Sequence, residues 1–301
     1  MRLTEGRYIS LLTDFGFKRI FGSDINKDLL IDFLNSLFNG EQVVKNVTYL
    51  NSEHVGDVYA ERKAIFDVYC ENEHGEKFIV EMQNAYQTYF KDRSLYYATF
   101  PIREQAPKGD NWNFKLQHVY VVALLNYEMS DEAFSHESIN HDVGLLDKQT
   151  HKVFNNKLTF KYVEIARFNK DINELETNFD KWLYVLRNLS RLDNQPTYLR
   201  NEVFNRLFSQ AEIARFDKKE LKAYEDSLKA YRDIKNSLDT AKEEGRAEGL
   251  AEGLEKGLEK GRAEGASEKA LTIAREMLAL NISVDTIKKV TGLTDNEIHD
   301  L

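Results

Sequence analysis

Three side chains that could do chemistry together fall within residues 64–83, AIFDVYCENEHGEKFIVEMQ: the carboxylates Asp67 and Glu81 and the amide Gln83. Runs of β-branched and aromatic residues at 65–70 and 78–82 flank the polar turn Asn72-Glu73-His74-Gly75. This is a hairpin pattern, with glycine where a three-residue loop needs positive φ. With Glu73-His74-Gly75 as the loop, Asp67 falls opposite Glu81, their Cβ atoms about 4.5–5.5 Å apart. Two carboxylates that close repel unless solvent or a cation lies between them. Magnesium is the natural cation: it takes one or two carboxylates and completes its octahedron with water and phosphate oxygens, which suits phosphodiester hydrolysis. The plain alternative is a half-exposed hairpin whose outer face is polar.

The elements that must carry these residues are legible around them. Side chains alternate faces along a strand, so Phe66, Val68, Cys70, Phe78, Val80 and Met82 form an apolar set opposite Asp67, Glu81 and Gln83. Upstream, Leu29, Leu30, Phe33, Leu34 and Leu37 recur at helical spacing and predict a helix over 26–38, stopped by Asn39-Gly40. Residues 43–50 supply a first strand. Downstream, 84–105 reads as a helix with Tyr86, Tyr89, Arg93, Tyr96, Tyr97 and Phe100 mostly on one broad face, closed by Pro101, Pro107 and Gly109. Such a stripe is either core packing or a surface that stacks bases and holds phosphate. The near-continuous apolar run 118–125 reads as a strand buried on both faces.

Asp67 followed by Glu81-Met82-Gln83 resembles the D…(D/E)-x-K signature of the PD-(D/E)XK nucleases, in the E-x-Q form of the recombination-promoting nuclease and transposase family. The opening stretch TDFGFKRIFG at 13–22 is similar to that family's first motif. So are Arg93 with Tyr96-Tyr97, the strand at 118–125, Phe168-Asn169-Lys170 with Trp182-Leu183, and the glycine-punctuated tail. The resemblance covers nearly the whole chain. It implies an α/β, restriction-endonuclease-like αβββαβ core, an order the local patterning reaches independently. It also implies a Mg2+-dependent DNA endonuclease that promotes recombination or mobile-element transfer. Asp67, Glu81 and the Met82 backbone carbonyl would hold the metal, Gln83 would position a water, and Arg93 is a candidate for a supporting role. By spacing, Asp14 and Lys18 stand four apart on one helical face, either supporting the catalytic edge or forming a surface pair. Gln83 departs from the consensus lysine and supplies no charge.

Composition bounds these readings. The chain has 301 residues, 42% hydrophobic and 12% aromatic, enough for a sizeable core. One cysteine, Cys70 on the apolar parity, fits a reducing compartment and a packed thiol better than a nucleophile. No run reaches the roughly 18 apolar residues of a membrane span, so a cytoplasmic location is expected. The formal charge of −9 weighs against a nucleic-acid partner. Residues 1–126 hold 14 Lys+Arg against 17 Asp+Glu, so a DNA footprint must be a local patch. Its candidates are Arg62, Lys63, Lys91, Arg93, Arg103 and Lys108.

Beyond Asn126 a polar loop leads to β-type runs at 151–154 and 158–168, then helical patterning over 175–189 and 201–235. Residues 242–266 place a glycine at every fourth position. Each costs a helix about 1 kcal/mol relative to alanine, and the row drifts about 40° per step instead of lining one seam. A partly frayed helical linker is expected, with oligomerisation as the alternative. Residues 269–301 return to globular patterning, with a Thr294-x-x-Glu297 capping box. Their layout resembles a helix-turn-helix, but their acidic balance favours a protein contact or dimer-forming hairpin. The expected division is a nuclease-like domain at 1–170, a helical extension at 171–241, a Gly/Glu/Lys-rich linker at 242–266 and a small helical tail at 267–301, through which a homo-oligomer could form. Two rival functions stand beside hydrolysis: an interaction protein on a nuclease scaffold, and a strand-transfer enzyme, for which no third carboxylate stands at a recognisable spacing.

Overall fold

A computed structural model describes residues 6–54, 64–106, 113–129, 133–135 and 137–301. Helix α1 (Asp14–Phe21) starts at Thr13, whose hydroxyl accepts from the Gly16 N–H. Glycine is required at 16, because a Cβ there would run into the Ser10 carbonyl oxygen. Helix α2 (Lys27–Phe38) buries the five leucine and phenylalanine positions that the periodicity predicts and ends at Asn39 in the left-handed region, φ 47°.

Strand β1 (Val47–Tyr49) is shorter than the expected 43–50. The small pair β2 (Glu53–His54) and β3 (Ala64–Ile65) follows. Arg62, Lys63 and Lys108, three of the footprint candidates, lie outside the described residues, as do Pro107 and Gly109. Strands β4 (Val68–Asn72) and β5 (Lys77–Gln83) form the predicted hairpin with Val68 opposite Val80 and Cys70 opposite Phe78. Gly75 takes φ 74° at its turn, as expected. Helix α3 (Phe90–Glu104) carries the chain to β6 (Val119–Leu125), which pairs parallel with β5 and is buried at every position.

Strands β7 (Asn140–Leu146) and β8 (Val153–Glu164) complete a six-stranded sheet in the order β1-β4-β5-β6-β8-β7. α2, β1, β4, β5, α3 and β6 are the αβββαβ order. β7 falls where a polar loop was expected. It is a largely exposed edge strand with register shifts at Gly144 and Leu145, so its sequence lacks clean alternation.

Both faces of the sheet are covered. On one, Cys70, Phe78, Val80, Tyr120, Val122 and Leu124 pack with α1, α2, α4 (Asn178–Asn188) and α5 (Glu202–Ala211), with Trp182 fully buried. On the other, Tyr69, Ile79, Val121 and Ala123 pack against Phe90, Ala98 and Phe100 of α3. Two expectations are corrected here. Phe66 belongs to the α3 side and not to the apolar parity of Val68, because the chain bends at Asp67 and leaves the ladder. Helix α3 begins at Phe90 instead of 84 and carries Pro101 inside it, because 84–89 is spent on a turn and the proline sits near the last turn.

The segment 201–235 is not one helix: α5 ends at Ala211, and α6 (Lys218–Ala279) starts after a short 3-10 turn. Tyr224 and Leu228 of α6 join the first core. The chain divides into two compact units between Asn236 and Ser237. In the second unit α6 stays helical through all six repeat glycines, where an added Cβ would meet nothing within 4 Å. Its end packs with α7 (Val284–Thr291) and α8 (Asp295–His299) around Ala274, Ile287, Leu293 and Ile298. The predicted capping box is present, Thr294 N–H donating to Glu297 Oε2 at 2.8 Å.

Candidate active site

β4 begins at Val68 while β5 runs on to Gln83, and the end of β5, paired with β6 but open on its β4 side, is where the carboxylates meet. Asp67 has left the ladder, whose last pair is Val68 opposite Val80, and lies just outside the strand beside Glu81. The Asp67 N–H donates to Glu81 Oε1 at 3.1 Å, and the Met82 N–H donates to Asp67 Oδ2 at 2.8 Å. Each carboxylate is thus fixed by a main-chain donor belonging to its partner or its partner's neighbour. Gln83 Nε2 donates to Glu81 Oε2 at 3.2 Å, so the amide two residues on steadies the same carboxylate. In a strand the N–H and C=O of one residue point the same way. The Met82 carbonyl therefore faces the side its N–H faces, past the end of β4.

Helix α1 approaches this end. Lys18 Nζ lies 3.9 Å from Asp67 Oδ1 and 2.7 Å from Asp14 Oδ1. The approach is pinned by Asn84, just after β5, whose Nδ2 donates to the Leu12 carbonyl at 2.7 Å. Spacing gave Asp14 and Lys18 only as one helical face; the fold brings Lys18 onto Asp67 as well.

The electrostatics follow from burial. Glu81 is only 5% exposed, and burial, then the Asp67 charge, pushes its carboxyl well above the usual range. Burial likewise raises Asp67, against the Met82 N–H and the Lys18 charge, which pull it down. Burial opposes the Lys18 ammonium, yet Asp14, Asp67 and Glu81 together hold it above the ordinary lysine value. Arg93 on α3 favours the charged form of both central carboxylates. Another buried carboxylate, Glu164, differs: it accepts from Met129 N–H at 2.8 Å and Arg167 Nε at 2.6 Å and stands 2.9 Å from His141 Nε2, a satisfied structural knot.

Among the described residues no group of three or more His, Cys, Asp or Glu forms a metal cage. Two carboxylates still fit a hard cation that keeps waters and phosphate oxygens. Asp67 Oδ1 is left over from the main-chain bonding, the donors are all oxygen, and burial holds both groups above their ordinary pKa.

Beside this site α3 presents an open pocket of about 650 Å³, lined by Gln87, Thr88, Tyr89, Asp92, Arg93, Tyr96 and Tyr97. The Tyr97 ring stands 5.1 Å from Phe66, the neighbour of Asp67. Burial, then the Glu81 charge, raises its phenol. The aromatic stripe thus splits: Phe90 and Phe100 are core, while Tyr89 and Tyr96 are exposed. The late start of α3 hid that split from sequence spacing.

Comparison with known proteins gives two family matches. Residues 11–241 match the PD-(D/E)XK nuclease family transposase model, and residues 267–301 match the C-terminal HTH domain of the Rpn/YhgA-like nuclease family. The chain belongs to the PD-(D/E)XK nuclease family. No curated protein and no solved structure matches it. Among the described residues no helix is long and apolar enough to cross a membrane.

Proposed function

We propose that this protein is a magnesium-dependent DNA endonuclease whose hydrolytic centre is the open end of the β4–β5 hairpin. The observation that carries the reading is the interlock of Asp67 and Glu81, a half-buried and a buried carboxylate fixed by main-chain N–H groups. Such a pair is costly to bury and gains from a divalent cation. Asp67, Glu81 and the Met82 carbonyl would hold Mg2+. When bound, the cation supplies positive charge to the attacked phosphate and lowers the pKa of the attacking water.

The chain's own side chains complete the reaction. Gln83 holds Glu81 through its Nε2, leaving its amide oxygen to accept from the attacking water and set its line of approach. Lys18 takes the part that the uncharged Gln83 does not fill. Its ammonium, anchored by Asp14, is available to the non-bridging phosphate oxygens as charge builds on them. Arg93 moderates the acidic centre from the α3 side. The water oxygen bonds to phosphorus as the ester oxygen leaves.

The helix-turn-helix tail supports DNA as the partner, and cleavage at chosen DNA would serve recombination or the transfer of a mobile element. We place the protein in the cytoplasm, in keeping with its one cysteine being a buried free thiol. The four-part division of the chain set out above, with the tail joining copies into a homo-oligomer, belongs to the same proposal. Gln83 favours a second reading, a DNA- or protein-binding module without turnover. Incubating supercoiled plasmid with the full chain in magnesium and in EDTA separates the two: hydrolysis predicts nicked circles with magnesium alone, and intact plasmid in both supports the binding module.

A further inference from the structure

The hydrolytic scheme uses Arg93 only as a distant charge and leaves the α3 pocket without a task. Tyr89 is 74% exposed and Tyr96 41%, an uncommon display of aromatic surface beside the Asp67–Glu81 pair. Arg93 lies between the two regions. Its guanidinium stands 5.6 Å from the Tyr97 ring centroid and donates to Gln87 Oε1, but its buried Nε has no hydrogen-bond partner among the described residues. A buried N–H without a partner is costly and calls for an acceptor. The pocket volume suits one small ring system. Asp92 on the rim disfavours a phosphate inside, while it and Gln87 can pair with the edge of a heterocycle.

We propose that this pocket stacks an unpaired base of the strand being cut, with Arg93 Nε donating to that nucleotide, so that the preferred substrate is single-stranded or locally opened DNA. Aromatic faces accept any base, and an arginine nearby adds cation–π attraction. A fully paired duplex presents no base face to such a platform unless one is extruded. The reading of Asp67 and Glu81 as the hydrolytic centre is what makes the held strand the one being cut; the stacking itself needs only the pocket.

The test uses the full chain in EDTA at fixed salt, with a single-stranded DNA carrying 2-aminopurine and the same strand in a duplex. The single strand should bind at least tenfold more tightly than the duplex and lose 2-aminopurine fluorescence on binding. Tyr89→Ala and Tyr96→Ala should each weaken the single-strand complex about tenfold and restore fluorescence, in line with the worth of one stacked base. Tyr89→Trp should retain both properties, and circular dichroism should be unchanged in all three variants. Equal affinity for the two DNAs, or alanine variants that keep wild-type affinity and quenching, overturns the proposal. A protein that quenches the single strand yet never nicks plasmid supports the pocket and removes the hydrolytic reading instead.

Discussion

Asp67 and Glu81 are locked to each other through main chain: the Asp67 N–H donates to Glu81, while the next residue after Glu81 donates to Asp67. Neither carboxylate can turn away without breaking a main-chain hydrogen bond, so their mutual repulsion is built into the fold. Removing Glu81 charge should therefore stabilise the metal-free protein. Glu81→Gln should melt higher than wild type in EDTA. Because the folded-state pKa of Glu81 is raised, its burial penalty is absent below the unfolded value and grows as pH rises through the folded one. The gap between the two proteins should widen with pH.

Glu164 is the control for that experiment. It is equally buried but satisfied by three partners, so Glu164→Ala leaves Arg167 and His141 facing a void. A loss of about 3 kcal/mol is expected in denaturant titrations, opposite in sign to Glu81→Gln.

Lys18 should carry the charge that Gln83 lacks. Lys18→Met should lower the nicking rate at least tenfold, about 1.4 kcal/mol of transition-state stabilisation, with Lys18→Arg recovering part of it. Lys18→Met combined with Gln83→Lys should recover more than Lys18→Met alone. Steady-state nicking at saturating DNA checks both, and an unaffected Lys18→Met variant would remove the lysine from the mechanism.

His118 gives the fold an acid limit. Its ring stacks on Tyr120 at 3.8 Å and meets Thr159, and burial, with Lys157 adding to it, pushes the imidazole down to about 4. The unfolded chain takes up this proton near pH 6.5. The stability it represents is present above that value and is lost as pH falls toward 4. Melting points of His118→Gln should fall less than those of wild type across this window.

Much of the site was legible because hairpin register is local: the glycine at 75 fixes the loop, the loop fixes the pairing, and the pairing puts 67 opposite 81. The helix α2 and the buried strand β6 were legible for the same reason, one as a periodic run and the other as a near-continuous apolar one. What could not be read is what depends on distant chain. Phe66 changes face because Asp67 leaves the ladder. Lys18 meets Asp67 because Asn84 ties β5 to the segment before α1. The pocket exists because α3 begins six residues later than its aromatic pattern suggests, freeing Tyr89 from the core.

The most direct measurement is plasmid nicking by wild type, Asp67→Asn and Glu81→Gln at millimolar magnesium, with melting curves for each. Both substitutions keep size and one acceptor oxygen for the main-chain N–H, exchange the other oxygen for an NH2 donor and remove the charge. Wild type should nick with magnesium and stop with EDTA, while both variants remain folded and inactive and their melting points ignore magnesium. Variants that nick at the wild-type rate would contradict the assignment of the hydrolytic centre to Asp67 and Glu81.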